Sequence, residues 1–234
     1  SNKIAIAEKR YSDAIAKIDT SYVNIKDLDI FVKAEKDIID SLNVLRDRMK
    51  TSFEKGNMAG DMSILEGSCD DVNAAITKLL EDMRKYYAKV RIQYALVKTQ
   101  IAAVSKLYDD ALAKINSEYT DIKDQDSIVK AETEIATSLQ ALRDSAQASY
   151  NQGLIVDDKA NLMAGCDSIK SAISKLLEDA LKAHTIVGIS ELNSDNNVLV
   201  GIYTVSGIKV NVPVKGQINV FRFNDGKAKS VFVK

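Results

Sequence analysis

Shifted on itself by about 97 residues, the chain aligns with itself without a gap, and this constrains the fold more than any other feature. Tyr11-Ser-Asp-Ala-Ile-Ala-Lys-Ile18 matches Tyr108-Asp-Asp-Ala-Leu-Ala-Lys-Ile115, and Val32-Lys-Ala-Glu35 matches Val129-Lys-Ala-Glu132. Ser41-Leu42 and Leu45-Arg-Asp47 recur as Ser138-Leu139 and Leu142-Arg-Asp144. Gly56 recurs as Gly153, Cys69-Asp70 as Cys166-Asp167, and Lys78-Leu-Leu-Glu-Asp82 as Lys175-Leu-Leu-Glu-Asp179. Roughly 37 of 80 aligned positions are identical, so the segment is a duplicated module.

Each copy reads as three helices. In the second, Ile101, Val104, Tyr108, Ala111, Ile115, Tyr119 and Ile122 form one apolar stripe. Ile128, Ala131, Ile135, Leu139, Leu142, Ala146 and Tyr150 form the next, and Leu162, Cys166, Ile169, Ile173, Leu176 and Ala180 the third. Alternating three- and four-residue spacing is the seam of an antiparallel bundle. Asp29 and Asp126 stand where N-caps of the second helices belong, and Gly56 and Gly153 where those helices should stop. Gly60-Asp61 and Asp157-Asp158 are start signals for the third helices.

Between the copies the stripe never breaks. From Leu65 it runs through Cys69, Val72, Ile76, Leu79, Met83, Tyr86, Val90, Tyr94 and Val97 to Ile115, with one slip of phase near Tyr94. The last helix of copy one is therefore expected to run into the first helix of copy two, as in spectrin-like rods, giving an elongated particle. A hinge at Lys89–Gln93 is the competing expectation.

Near His184 helical periodicity gives way to β-branched alternation. Val198–Val205, Ile208–Val212, Gln217–Phe223 and Ser230–Val233 read as strands, with Ser206-Gly207 and Asn224-Asp225-Gly226 as turns. Ile186–Leu192 is a candidate fifth strand. The expected class is mainly α with a small all-β C-terminal part: two tandem three-helix bundles sharing a long helix, then a four- or five-stranded sandwich-like unit. The corresponding domains are 1–93, 94–184 and 185–234.

Composition excludes several functions. Lys plus Arg is 32 and Asp plus Glu 33, a formal net charge of -1, so nothing draws the chain to nucleic acid. No apolar run reaches the roughly 20 residues of a membrane span. The single histidine, His184, cannot supply a repeated Ser-His-Asp or Cys-His constellation or a His-based zinc site. Cys69 and Cys166 read as small buried core residues rather than working thiols. Asp27/Asp29 and Asp124/Asp126 could serve acid–base or calcium chemistry, but capping positions explain them better. Gly188, Gly201 and Gly207 lack phosphate-loop spacing. Most of the tyrosines fall on the seams, Tyr86-Tyr87 being the pair expected to reach the surface. No catalytic, cofactor or metal residue is expected, and the chain should be a monomer.

Two resemblances add to this reading. The tandem modules, with Tyr, Ala and Leu stripes and a repeated Lys-Leu-Leu, resemble FIVAR-type three-helix repeats of bacterial surface proteins over about 3–184. Gly201-Ile-Tyr-Thr-Val-Ser-Gly-Ile-Lys-Val210, Lys215-Gly216 and Asp225-Gly226-Lys-Ala-Lys-Ser-Val-Phe-Val-Lys234 are similar to the C-terminal sorting domain of type IX secretion substrates in Bacteroidetes, over about 186–234. Gln217-Ile218 stands where that family has Tyr after Lys-Gly. The resemblance implies export, an extracellular or surface location and contact with secretion machinery. Ser1-Asn2 leads directly into a helical pattern with no leader, as expected if this is an excised segment. The expected function is a stalk, spacer or adhesion-type module with an unidentified protein or glycan partner. The alternatives are an accessory region of a larger secreted glycan hydrolase or peptidase, or a carbohydrate-binding role.

Overall fold

The computed structural model describes residues 2–192, 198–224 and 226–233. Five helices precede four strands among them: α1 Asn2–Ser21, α2 Asp29–Glu54, α3 Met58–Glu118, α4 Asp126–Asn151, α5 Ile155–Leu192, then β1 Leu199–Thr204, β2 Lys209–Val210, β3 Gln217–Phe223 and β4 Ala228–Val233. The protein is mainly α with a small all-β C-terminal part. No helix among the described residues is long and apolar enough to cross a membrane.

The helix boundaries follow the repeat residue by residue. α2 and α4 begin and end at matched positions, α1 and α3 end at the matched Ser21 and Glu118, and α3 and α5 start at the matched Met58 and Ile155. α3 is unbroken for 61 residues, including Lys89–Gln93, so the hinge reading is overturned. With no Gly or Pro between Gly67 and Tyr119, nothing in that stretch interrupts the backbone ladder. The glycine stops act as expected. Gly56 (φ 69°) and Gly153 (φ 72°) are left-handed. Asn57 N–H bonds to Ser52 C=O at 2.9 Å and Leu154 N–H to Ser149 C=O at 2.9 Å, the crossed bonds of a Schellman cap.

Capping by the aspartates is a correction. The N-cap of α2 is Leu28, extended at φ -68° and ψ 135° with no side-chain cap hydrogen bond, and Asp29 is the first helical residue. Asp29 and Asp126 act as first-turn acids facing the positive helix end.

The molecule divides into two compact units: Ser1–Tyr108 with Ile135–Ser171, and Asp109–Glu134 with Ala172–Lys234. In the first, α1, α2 and α3 share a core through Ile4, Leu45, Leu65 and Cys69, with Met49 and Met58 against it. Arg46 on α2 donates to Glu8 on α1 at 2.5 Å, and Arg10 on α1 to Thr77 on α3 at 3.1 Å. α4 meets α3 where Arg143 donates to Ser105 at 2.7 Å, and meets α5 where Ser149 donates to Asp158 at 2.7 Å.

Glu35 on α2 is half-buried, and burial, reinforced by the Asp19 charge, holds its carboxyl above the usual range. The matched Glu132 is raised by burial and then by Asp124. A raised folded-state value means that this part of the stability is present below the ordinary Glu range and lost as pH rises through the raised value. Glu35→Gln should therefore raise the urea midpoint at pH 7 and leave it unchanged at pH 3. Solvent screening keeps the gain to a fraction of a kcal/mol. A gain that persists at pH 3 would trace the effect to something other than ionisation.

The second unit holds the sheet, ordered β2-β1-β3-β4 and antiparallel throughout. Ile202, Phe221 and Phe223 form its core, with Leu199, Val210 and Val231 packed against them. Two expectations are corrected here. The strands make one sheet and no second layer among the described residues; its opposite face leaves Ile218 and Phe232 exposed. Residues 186–192 belong to α5 and are not a strand. Their β-branched run is too short to compete with a helix already propagating into it, and Thr185 Oγ1 still bonds back to Leu181 C=O at 2.8 Å. Part of the turn at Asn224-Asp225-Gly226 lies outside the described residues. Around it Phe223 N–H reaches Lys227 C=O at 3.0 Å.

Candidate functional site: the junction between the repeats

The most elaborate constellation joins the α1–α2 loop of copy one to the α4–α5 turn of copy two, all within the first unit. Tyr22 and Ile25 are buried on that loop. Asn24 Nδ2 donates to Tyr150 C=O at 3.1 Å. Gly153 is buried beneath the same loop. A Cβ there would lie 2.6 Å from Asn24 O and 2.9 Å from Ile25 Cγ2, so only glycine lets the two backbones approach so closely.

Aromatic rings from α3 complete the junction. Tyr86 packs edge-on against Phe31, and Tyr87 edge-on against Tyr22. Tyr86 also donates its hydroxyl to Gly153 C=O at 3.3 Å. Burial holds the Tyr86 phenol above its ordinary value, with the Asp157 charge adding to it. A hydrogen bond with Tyr87, then burial, does the same for Tyr150. Tyr94 stacks on Tyr150 with centroids 4.3 Å apart and donates to Gln147 Oε1 at 2.6 Å. Such aromatic pairs add about 1 kcal/mol each beyond their buried area. Sequence spacing placed these tyrosines on seams but did not show that five of them converge at one place. The signal was their density from Tyr86 to Tyr94, where the stripe changes phase.

The other singled-out residues lie elsewhere. His184 Nδ1 sits 2.6 Å from Asp121 Oδ1, and its ring centroid lies 5.2 Å from that of Tyr119. By the repeat, Tyr119 and His184 match Tyr22 and Tyr87, so the histidine takes the place of a packing tyrosine. With Leu181, Phe221 and Val231 they line an open cavity of about 890 Å³. In the first unit a groove of about 610 Å³ between α2 and α3 is floored by Phe31, Ile38 and Leu79. Asp27 and Asp124 lie in the turns before α2 and α4. No group of three or more His, Cys, Asp or Glu among the described residues is placed to hold a metal ion.

Cys69 and Cys166 are free and each 1% exposed, and burial raises both thiols above their ordinary value. A buried, protonated thiol is a poor nucleophile. A disulfide-exchange dye should titrate two thiols in guanidinium and react far more slowly with the folded chain. Rapid native labelling of either would show a reactive cysteine.

Compared with protein-family models, with curated proteins and with solved structures, the chain matches none of them.

Proposed function

We propose that the chain is a non-catalytic structural and interaction segment: a stalk, spacer or adhesion-type array of helical repeats in an exported bacterial protein, with residues 186–234 serving as a sorting-like tail. The observation that carries this reading is the junction. Its aromatic, apolar and hydrogen-bonding groups are turned toward each other rather than toward a ligand, which suits a part that holds modules in register. The likeness of the repeats to FIVAR-type modules and of the C-terminal strands to sorting domains supports the surface location. In that reading Gly201–Val210 and Ala228–Val233 present the strands that secretion machinery recognises.

The test is an immunoblot of fractionated native cells with antibody raised to this segment. A surface or culture-medium band well above 25.7 kDa is expected. A band near that mass confined to the cytoplasm would remove export from the reading and leave a helical-repeat protein.

A further inference from the structure

The duplication supplies an internal comparison, and one difference between the copies lies at the turn after the second helix. In copy two the α4–α5 turn is covered: Gly153 is buried, Ile155 is 0% exposed and Tyr150 is partly buried. The matched positions of copy one are Gly56, Met58 and Phe53. Gly56 is exposed with no atom within 4 Å of its hypothetical Cβ, and Phe53 is 75% exposed. The backbone is the same in both, with matched left-handed glycines and the same Schellman bonds. Ser149 donates to Asp158, whereas the matched Ser52 hydroxyl is buried without a partner. The surface that receives a loop in copy two is thus built in copy one and left open.

We infer that this turn of copy one, centred on Phe53, Gly56 and Met58, is a docking surface for a further three-helix module of the same kind. The occupant follows from the junction already seen. It presents a loop equivalent to Tyr22–Leu28, seats an aliphatic residue in the place of Ile25 over Gly56, and aims a side-chain amide at Phe53 C=O as Asn24 aims at Tyr150 C=O. It brings a tyrosine equivalent to Tyr94 onto the Phe53 ring, as Tyr94 stacks on Tyr150, and one equivalent to Tyr86 to the Gly56 carbonyl, as Tyr86 donates to Gly153 C=O. An exposed phenylalanine beside a bare left-handed glycine is what such a loop would cover, and isolated charges at the rim would not.

The inference rests on the stalk reading and names its partner. It is tested by extending the full chain at its N-terminus with one more copy of residues 1–97, so that the junction recurs in register. Phe53→Trp places the only indole in the chain at the surface. In the extended chain its emission should shift to the blue and acrylamide quenching should fall, while in the unextended chain it stays exposed. Gly56→Ala should then lower the melting temperature more in the extended chain than in the unextended one. An indole equally quenched in both chains, an equal Gly56→Ala effect, or an added copy whose helix content fails to appear by circular dichroism would each overturn the proposal. Failure of the stalk reading is seen separately, in the unextended chain at Gly153 and in the cell fractions.

Discussion

Gly153→Ala should destabilise the chain by about 3 kcal/mol, and Gly56→Ala, at the matched position, by only about 1 kcal/mol. Both glycines are left-handed, so an added methyl costs each about 1 kcal/mol in backbone strain. The remainder is steric and falls on one copy alone. At Gly153 the new carbon would lie 2.6 Å from Asn24 O, which belongs to the backbone and cannot swing aside. At Gly56 there is nothing to meet. Relief requires the α1–α2 loop to lift, which would break the Asn24–Tyr150 bond and open Ile25 to water. Urea midpoints for the two variants, followed by far-ultraviolet circular dichroism, give the difference directly. Equal losses would mean that the loop does not rest on the turn in solution, and the junction would lose its standing as the organising contact.

The second large effect is expected in the sheet. Asn219 is 0% exposed, on the same face of β3 as Phe221 and Phe223. Its Oδ1 accepts from Val214 N–H at 2.9 Å, while Nδ2 donates to Val214 C=O at 2.8 Å and to Gln217 C=O at 3.1 Å. One side chain therefore ties the irregular 211–216 connection to the strand that follows. Asn219→Ala leaves the Val214 amide and carbonyl without these partners, a loss of about 2–4 kcal/mol. A sheet of four short strands has little stability in reserve. The loss should therefore appear as early hydrogen exchange and proteolysis in 198–233, with the helical signal unchanged. Asn219→Asp keeps the acceptor, removes the donors and buries a charge, so it should behave no better at neutral pH. Wild-type protection of the strands in Asn219→Ala would show that the connection is held by other contacts.

How much of this was legible depended on the kind of interaction. Stripes at three- and four-residue spacing gave the helices, because burial of one face is written along the chain. Cys69, Ile76, Met83, Cys166 and Leu176 are buried where the stripes place them. The continuity of α3 followed from the absence of any breaker. The junction was not legible, since the alignment presents Gly56 and Gly153 as equals and only tertiary contact separates them. Asn219 was hidden for a related reason: an amide in an alternating strand gives no sign that it faces the core until its partners on the preceding loop are known. The run at 186–192 misled because β-branched residues carry both meanings, and the neighbouring helix decides between them.

The unbroken passage of α3 through both copies also restricts how such a gene can change. A residue added to a helix advances everything after it by 1.5 Å and turns it by about 100°. One extra codon among those for Lys89–Gln93 would swing Tyr94 away from the ring of Tyr150 while leaving Tyr86 facing Phe31. Codons can be gained or lost more readily in the sequence for the exposed β1–β2 turn at Ser206-Gly207 than inside the shared helix. A lineage of this protein should thus vary in the number of whole repeats and in exposed turns such as Ser206-Gly207, while the length of the segment between Tyr86 and Tyr94 stays fixed.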